Sequence, residues 1–266
     1  MDRIKNTFEI CEQENRKAVI AYVTAGCPDL ETTESLILKL IEAGADIIEL
    51  GVPFSDPTAD GPVIQEASQL ALENGTTLEQ ILQVAANVRK KSDNPIILFT
   101  YYNVLLANGL DETAAKCAEI GIDGMLIVDL PFEHTAELTP TLRKHGLSLI
   151  SLIAPTTPPE RAAAIAEAAE GFIYCITSKG VTGGQTGFAA GIDDNLRSVR
   201  ETATVPVAAG FGIDSAEKAA ALAPNCDGIV IGSAIMRCIL KADEVQKGIA
   251  SAAANINKIA EALKQN

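Results

Sequence analysis

Two carboxylates, Glu49 and Asp60, flank a segment punctuated by proline and glycine, GVPFSDPTADGP. Glu49 is the penultimate residue of the otherwise apolar run DIIEL (46 to 50). A carboxylate between Ile48 and Leu50 loses water, which raises its pKa and lets it hold and release a proton near neutrality. The competing reading is a glutamate paired with a lysine or capping a helix. Asp60 precedes Gly61-Pro62, so its backbone is constrained while its carboxylate can project inward. Its competing reading is a turn residue or the N-cap of a helix over PVIQEASQLALENG. Asp56, before Pro57, shares that second reading and has less claim to point inward.

A second constellation is glycine-rich. Gly210-Phe211-Gly212 follows one apolar run, and Gly232-Ser233 follows the next and opens the short helical stretch SAIM. Backbone N–H groups in such places, with a helix N-terminus beside them, bind a phosphate dianion without any lysine. Ordinary turn glycine is the alternative. Thr182-Gly183, in the segment SKGVTGGQTGFAAG, could close over the same phosphate. The only histidines are His134 and His145, so a histidine-based metal centre or a Ser-His-Asp triad has little support and no metal is expected. Lys179 reads as a surface charge, and no lysine ends an apolar run as a Schiff-base enzyme requires.

These residues need a scaffold, and the chain supplies a repeating one. Eight β-branched runs recur: VIAYVT (19 to 24), DIIEL (46 to 50), PIILFTYY (95 to 102), GMLIVDL (124 to 130), LSLISLIA (147 to 154), GFIYCIT (171 to 177), VPVAA (205 to 209) and DGIVIG (227 to 232). Runs this continuously apolar resemble parallel strands covered on both faces. Helix-like stretches alternate with them, including 30 to 44, 78 to 91, 111 to 121, 158 to 171 and 215 to 223. Several end in a capping glycine, at Gly44, Gly121, Gly146 and Gly171. Eight strand-helix repeats predict an α/β fold, a (β/α)8 TIM barrel over 1 to 266 as one domain, preceded by an additional N-terminal helix. An open doubly wound sheet is the alternative, but no GxGxxG follows the first strand. The two long Pro/Gly-rich segments follow the second and sixth strands, which puts both on the C-terminal rim of a barrel, where active sites are built.

Composition bounds the partners. The chain has 266 residues, 47% hydrophobic and 4% aromatic with no Trp, so its core is aliphatic. A net charge of -14 with no long Lys/Arg run argues against nucleic acid and anionic membranes. The six cysteines are scattered, with no C-x-x-C pair and no leader-like run before them, so reduced thiols and a cytoplasmic location are expected.

At the residues singled out above, and over essentially its whole length, the sequence resembles the tryptophan synthase alpha subunit family. ELGVPFSDPTADGP (49 to 62) is the most specific stretch, and AYVTAGCPD, FTYYNVLLANG, DGMLIVDLPFE, LIAPTTPPER, GFIYCITSKGVTG, AAGFGI and IGSAI follow in the family's order. The resemblance implies a lyase that splits indole-3-glycerol phosphate into indole and glyceraldehyde 3-phosphate by a retro-aldol reaction. It implies Glu49 as catalytic acid and base and Asp60 as partner of the indole ring. Tyr22, Phe99, Tyr101, Leu126, Ile153, Tyr174 and Phe211 match positions around the substrate, and Gly183, Gly212, Gly232 and Ser233 match the phosphate site. Thr182 matches a loop residue that packs against Asp60 on closure. The family works as an αββα heterotetramer that passes indole to a beta subunit carrying pyridoxal phosphate, so no cofactor is expected in this chain.

Two positions depart from the family pattern, Gln185 where a basic residue is common and Val104 where proline is frequent; they bear on loop closure and the beta-subunit contact. Loops 51 to 61 and 178 to 191 are expected to be mobile or partly open in the free subunit, having too few large apolar side chains to pack rigidly by themselves. The competing functions are another phosphate-binding barrel, such as an indole-3-glycerol phosphate synthase or a sugar-phosphate isomerase, and a scaffold that mainly activates a beta subunit. The synthase needs a lysine at a strand end, and none is found.

Overall fold

Continuous apolar runs between amphipathic stretches leave few ways to bury both, and a computed structural model, which describes residues 2–177 and 191–264, shows the solution adopted. The order is α1 (Arg3–Gln13), β1 (Ala18–Thr24), α2 (Leu30–Glu42), β2 (Ile47–Gly51), α3 (Pro62–Glu73), α4 (Leu78–Arg89), β3 (Ile96–Thr100), α5 (Tyr102–Asn108), α6 (Leu110–Ile120) and β4 (Gly124–Ile127). It continues with α7 (Thr135–Lys144), β5 (Ser148–Leu149), β6 (Ser151–Ile153), α8 (Pro159–Ala168), β7 (Ile173–Ile176), α9 (Ile192–Thr202), β8 (Val207–Gly210), α10 (Ala216–Leu222), β9 (Gly228–Ile231), α11 (Ser233–Leu240) and α12 (Val245–Leu263). All strand pairs are parallel, in the order β5-β4-β3-β2-β1-β9-β8-β7-β6.

The two ends of that order, β5 and β6, are halves of one apolar run separated only by Ile150, so the sheet returns on itself as a nearly closed parallel barrel. The fifth run was expected to be one strand. It changes partner midway because barrel strands are staggered, so its first half reaches only β4 and its second only β7. The third run also stops early, at Thr100 rather than residue 102. Tyr101 takes the N-cap conformation, and the Tyr102 N–H donates to Asp129 Oδ1 at 2.7 Å, which starts α5. The fourth run ends at Ile127, and the seventh begins at Val207, after Pro206, which has no N–H for a ladder. The expected glycine caps Gly44, Gly121, Gly146 and Gly171 all have positive φ.

Strand alternation divides the core in two. Ile20, Ile47, Ile97, Leu126, Tyr174, Ala208 and Val230 share the lumen with Ile4, Phe8 and Cys11 of α1, so the additional helix plugs the N-terminal end of the barrel. Val19, Ala21, Val23, Ile48 and Leu98 face the surrounding helices.

The N-terminal end is also fastened by four acids, each placed just before a strand. Asp46 accepts the Val19 N–H at 2.8 Å, Asp123 the Ile96 N–H at 2.9 Å, Glu170 the Leu149 N–H at 3.1 Å and Asp227 the Val207 N–H at 2.9 Å. Each is paired with an arginine: Arg16, Arg89, Arg143 and Arg200 respectively. Asp123 also binds Arg3 of α1 at 3.0 Å, which joins the plug to the wall. Removing one partner from a buried ionic cluster strands the others, so Asp123→Ala is expected to cost about 3–5 kcal/mol of stability. Urea unfolding checks this, and a loss below about 1 kcal/mol would mean that the cluster does not hold the barrel.

Candidate active site

The inward face of the barrel is aliphatic until it nears the C-terminal rim, where Glu49 interrupts it. Glu49 lies between Tyr22 of β1 and Ile97 of β3 in register and is 1% exposed. Its Oε1 is a buried side-chain atom without a hydrogen-bond partner, alone in that respect among the described residues. No cation among the described residues balances it, and burial raises its pKa from 4.5 to about 8. Among the described residues, neither a lysine nor a helix N-terminus is bonded to it, as the alternative reading would require.

Asp60 is the second carboxylate of the same cavity, and it does not cap α3. Gly61 takes the N-cap position, while Asp60 Oδ2 accepts a 2.9 Å hydrogen bond from the Tyr101 hydroxyl. Burial raises its pKa to about 6, and the Tyr101 bond opposes that rise. The Ala59 N–H donates to the same hydroxyl at 3.1 Å, and the Phe54 ring stacks on Tyr101 with centroids 4.8 Å apart. Loop 51 to 61 is thus tied down by a side chain of the neighbouring β3–α5 turn, which its own composition could not indicate. Asp56 is exposed and bonds Ser55.

Tyr22, Glu49, Asp60, Phe99, Tyr174, Phe211, Gly212, Gly232 and Ser233 line this cavity together. Tyr22 and Phe99 meet edge to face, with centroids 5.0 Å apart. The hydroxyls of Tyr22 and Tyr174 lie where a Cβ on Gly51 or Gly210 would stand, 2.3 Å from it in each case. Those two glycines leave room for the phenols to rest against the wall. Burial, with Asp60 for Tyr22 and Glu49 for Tyr174 as the leading nearby charges, pushes both phenols well above their usual pKa.

Across the cavity, Gly232 is the N-cap of α11 with no side-chain cap, so the helix opens on bare backbone. Phe211 and Gly212 both have positive φ, +89° and +75°. No lysine or arginine lines the cavity among the described residues, so an anion there meets backbone N–H groups.

Three predicted positions stand elsewhere. Leu126 lies within the lumen cluster, and Val128, two residues on, lines the cavity instead. Ile153 pairs with Cys175 on the helix-facing side of the sheet, while Leu152 shares the inward parity of its partner Tyr174. A one-residue step along a strand reverses the face, so Leu152 rather than Ile153 shares the parity of the cavity-lining Tyr174. Tyr101 acts through Asp60 rather than as a wall. Thr182 and Gly183, with Lys179 and Gln185, lie outside the described residues. Ala59, Ile64, Val128, Ile213 and Val230 line the cavity and were missed. Counting inward parity from Leu126 and Gly232 would have found Val128 and Val230; Ile64 comes from α3, whose approach no local pattern reveals. His134 pairs with Glu137 and His145 with Asp111, both away from the cavity.

The family model for the tryptophan synthase alpha chain matches residues 8–264. The tryptophan synthase alpha chain of Geobacter sulfurreducens is 47% identical over 237 residues, 89% of this chain and 90% of that relative. That of Alkaliphilus metalliredigens is 44% identical over 239 residues, 90% of both. Among solved structures, the tryptophan synthase subunit alpha of Legionella pneumophila shares a TM-score of 0.89 at 33% identity over 100% of both chains. A chain of tryptophan synthase from M. tuberculosis, in an open form with BRD0059 bound, gives 0.88 at 30% identity over 99% of both.

The buried Glu49 makes stability depend on pH. The folded protein keeps a proton on Glu49 up to about pH 8, whereas the unfolded chain releases it near 4.5. This contribution is therefore complete below about 4.5 and is lost as pH rises through about 8; Asp60, raised from 3.8 to about 6, acts in the same direction at lower pH. Glu49→Gln has no such loss, so it is expected to become more stable than the wild type as pH rises, by roughly 3–5 kcal/mol above the folded pKa. Urea midpoints at pH 5 and pH 8.5 measure this, and a gap that does not widen with pH would contradict the raised pKa.

Proposed function

The chain belongs to the tryptophan synthase alpha chain family, and on that premise we propose that Glu49 is the acid and base of its reaction, Asp60 the partner of the indole ring, and the backbone around Gly212, Gly232 and Ser233 the phosphate cradle. The reaction is the alpha reaction of tryptophan synthase, EC 4.2.1.20, cleavage of indole-3-glycerol phosphate to indole and glyceraldehyde 3-phosphate. It is a carbon-carbon lyase reaction that needs no cofactor in this chain, pyridoxal phosphate being in the beta chain.

Carbon 3 of the indole takes a proton, the bond from that carbon to the glycerol chain breaks, and the adjacent hydroxyl loses a proton as it becomes an aldehyde. One carboxyl that delivers the first proton and collects the second leaves the enzyme unchanged, and this demands a group stable in both states near neutrality. The unpartnered, fully buried Glu49 carboxyl, with its pKa near 8, is the observation that carries the assignment. Asp60 titrates near 6, so at neutral pH it is ionised while Glu49 is protonated. An ionised Asp60 accepts the indole N–H and stabilises the positive charge that reaches the ring nitrogen when carbon 3 is protonated. Tyr22, Phe99, Tyr174 and Phe211 wall the ring, and Gly212, Gly232 and Ser233 hold the phosphate so that the reacting carbons meet Glu49.

The chain pairs with a beta subunit as an αββα complex that passes indole between sites, a reading supported by likeness to the M. tuberculosis tryptophan synthase chain. Six free thiols, five of them buried, accord with the reducing cytoplasm as its compartment.

Glu49→Gln should keep the fold and lose at least about a hundredfold in kcat for indole release, because only proton transfer is removed. A folded variant with a tenth or more of the wild-type rate would refute the role. Added beta subunit should raise the rate of indole release by the wild-type chain; an unchanged rate, with no co-elution on gel filtration, would refute the partnership.

A further inference from the structure

We infer that Thr177, with Lys218 behind it, holds the turn from Gly210 to Ile213 in the conformation that aims its N–H groups at the phosphate, which makes Thr177 a positioning residue for substrate binding. The inference rests on the phosphate cradle proposed above and says what builds it.

Three successive carbonyls of this turn are pinned. Gly210 O accepts the Thr177 N–H at 2.8 Å. The Thr177 hydroxyl stands 2.9 Å from that oxygen and donates to Phe211 O. Gly212 O accepts from Lys218 Nζ at 3.3 Å, and Lys218 is itself held by Asp214 at 2.8 Å. In a planar trans peptide, a carbonyl and the N–H that follows it point in opposite directions. Pinning Phe211 O to the end of β7 turns the Gly212 N–H away from β7, toward the side where β9 leads into Gly232 and Ser233. Pinning Gly212 O on the α10 side turns the Ile213 N–H the other way, and both Gly212 and Ile213 line the cavity.

The arrangement needs pins because it is not a resting conformation. Phe211 has φ of +89°, a region that bulky L-residues avoid, so the turn would relax if released. Relaxation rotates a peptide plane and offers a carbonyl oxygen where an N–H stood. In a cavity with no cation among its described walls, that exchange replaces attraction for a dianion by repulsion. Thr177 is 0% exposed and its hydroxyl has no solvent to turn to, so its proton stays committed to the turn.

Thr177→Val preserves shape and deletes the hydroxyl; Thr177→Ser keeps the hydroxyl and deletes the methyl. Loss of one hydrogen bond to the turn should weaken glycerol phosphate binding about tenfold and raise KM for indole-3-glycerol phosphate in parallel, with kcat moving much less. Affinity for indole, which has no phosphate, should stay as in the wild type, and Thr177→Ser should bind glycerol phosphate nearly as well as the wild type. Lys218→Met, at a half-exposed position that does not threaten folding, should weaken glycerol phosphate in the same direction by a few-fold. Wild-type glycerol phosphate affinity in folded Thr177→Val would overturn the inference, as would a serine variant no better than the valine one. If the valine variant does not fold, the serine and Lys218 variants decide in the same terms. Gly232→Asp separates the two levels, since it places a carboxylate in the cradle itself. Normal glycerol phosphate binding by that variant would mean that the phosphate lies elsewhere, whereas its loss alongside an unaffected Thr177→Val would sink only the pinning.

Discussion

A carboxyl group kept in an aliphatic barrel with no counter-ion among the described residues is the constraint on which the rest of the structure depends. Ionised Glu49 gains nothing for stability from its position; its Oε1 has no partner among the described residues and its ionised form is opposed by burial. Such a group persists only if the wall around it cannot move to supply water or a cation. The wall is the parallel sheet, whose register places Glu49 between Tyr22 and Ile97, with the phenols of Tyr22 and Tyr174 resting over glycines beside it. Catalytic usefulness and energetic cost are the same property here, since the desolvation that destabilises the carboxylate is what brings its pKa near neutrality.

Rigidity and chemistry are placed at opposite ends of the strands. At the N-terminal end, four acids bind N–H groups of the first or second residues of strands and four arginines neutralise them, while α1 fills the lumen with Ile4, Phe8 and Cys11. These contacts join elements distant in sequence, such as Arg3 with Asp123. At the C-terminal end the same barrel carries its exceptions: a buried carboxyl without a partner, an aspartate held by a phenol, and a phenylalanine with positive φ. Strain and desolvation at one end are sustained by satisfied ion pairs at the other.

The cavity also separates its charges. The protein carries a net charge of -14, and two carboxylates stand inside the site, yet the family's substrate is a phosphate ester. Backbone N–H groups and the N-terminus of α11 act over short range and carry no net charge, so they can attract a dianion without lowering the pKa of Glu49 as a lysine would. In the proposed reading, the use of backbone in place of side-chain cations is therefore tied to the acid-base role across the cavity.

Much of this was legible in the residues themselves. The alternation of apolar runs and capped amphipathic stretches is a local property, and it determined the barrel, the additional helix and the placing of loop 51 to 61 at the C-terminal end of its strand. Glu49 was readable because a charge inside an apolar strand is a local anomaly, and the turn glycines because positive φ demands them. Asp60 was ambiguous from sequence, since Asp before Gly-Pro is also a common cap, and only the tertiary structure puts Gly61 at the cap and the Tyr101 hydroxyl, from the end of another strand, on the Asp60 carboxylate. The face of Ile153 was not legible, because the fifth run splits at Ile150 and which half pairs with which neighbour depends on the stagger of the closed barrel. The pins on the phosphate turn, Thr177 and Lys218, had no sequence signal, because a hydroxyl or an ammonium acquires that role only from the carbonyl that folding places against it. Periodicity and anomalous residues are written along the chain, whereas partners across strands come from closure, which fixes distances between segments that no local pattern relates.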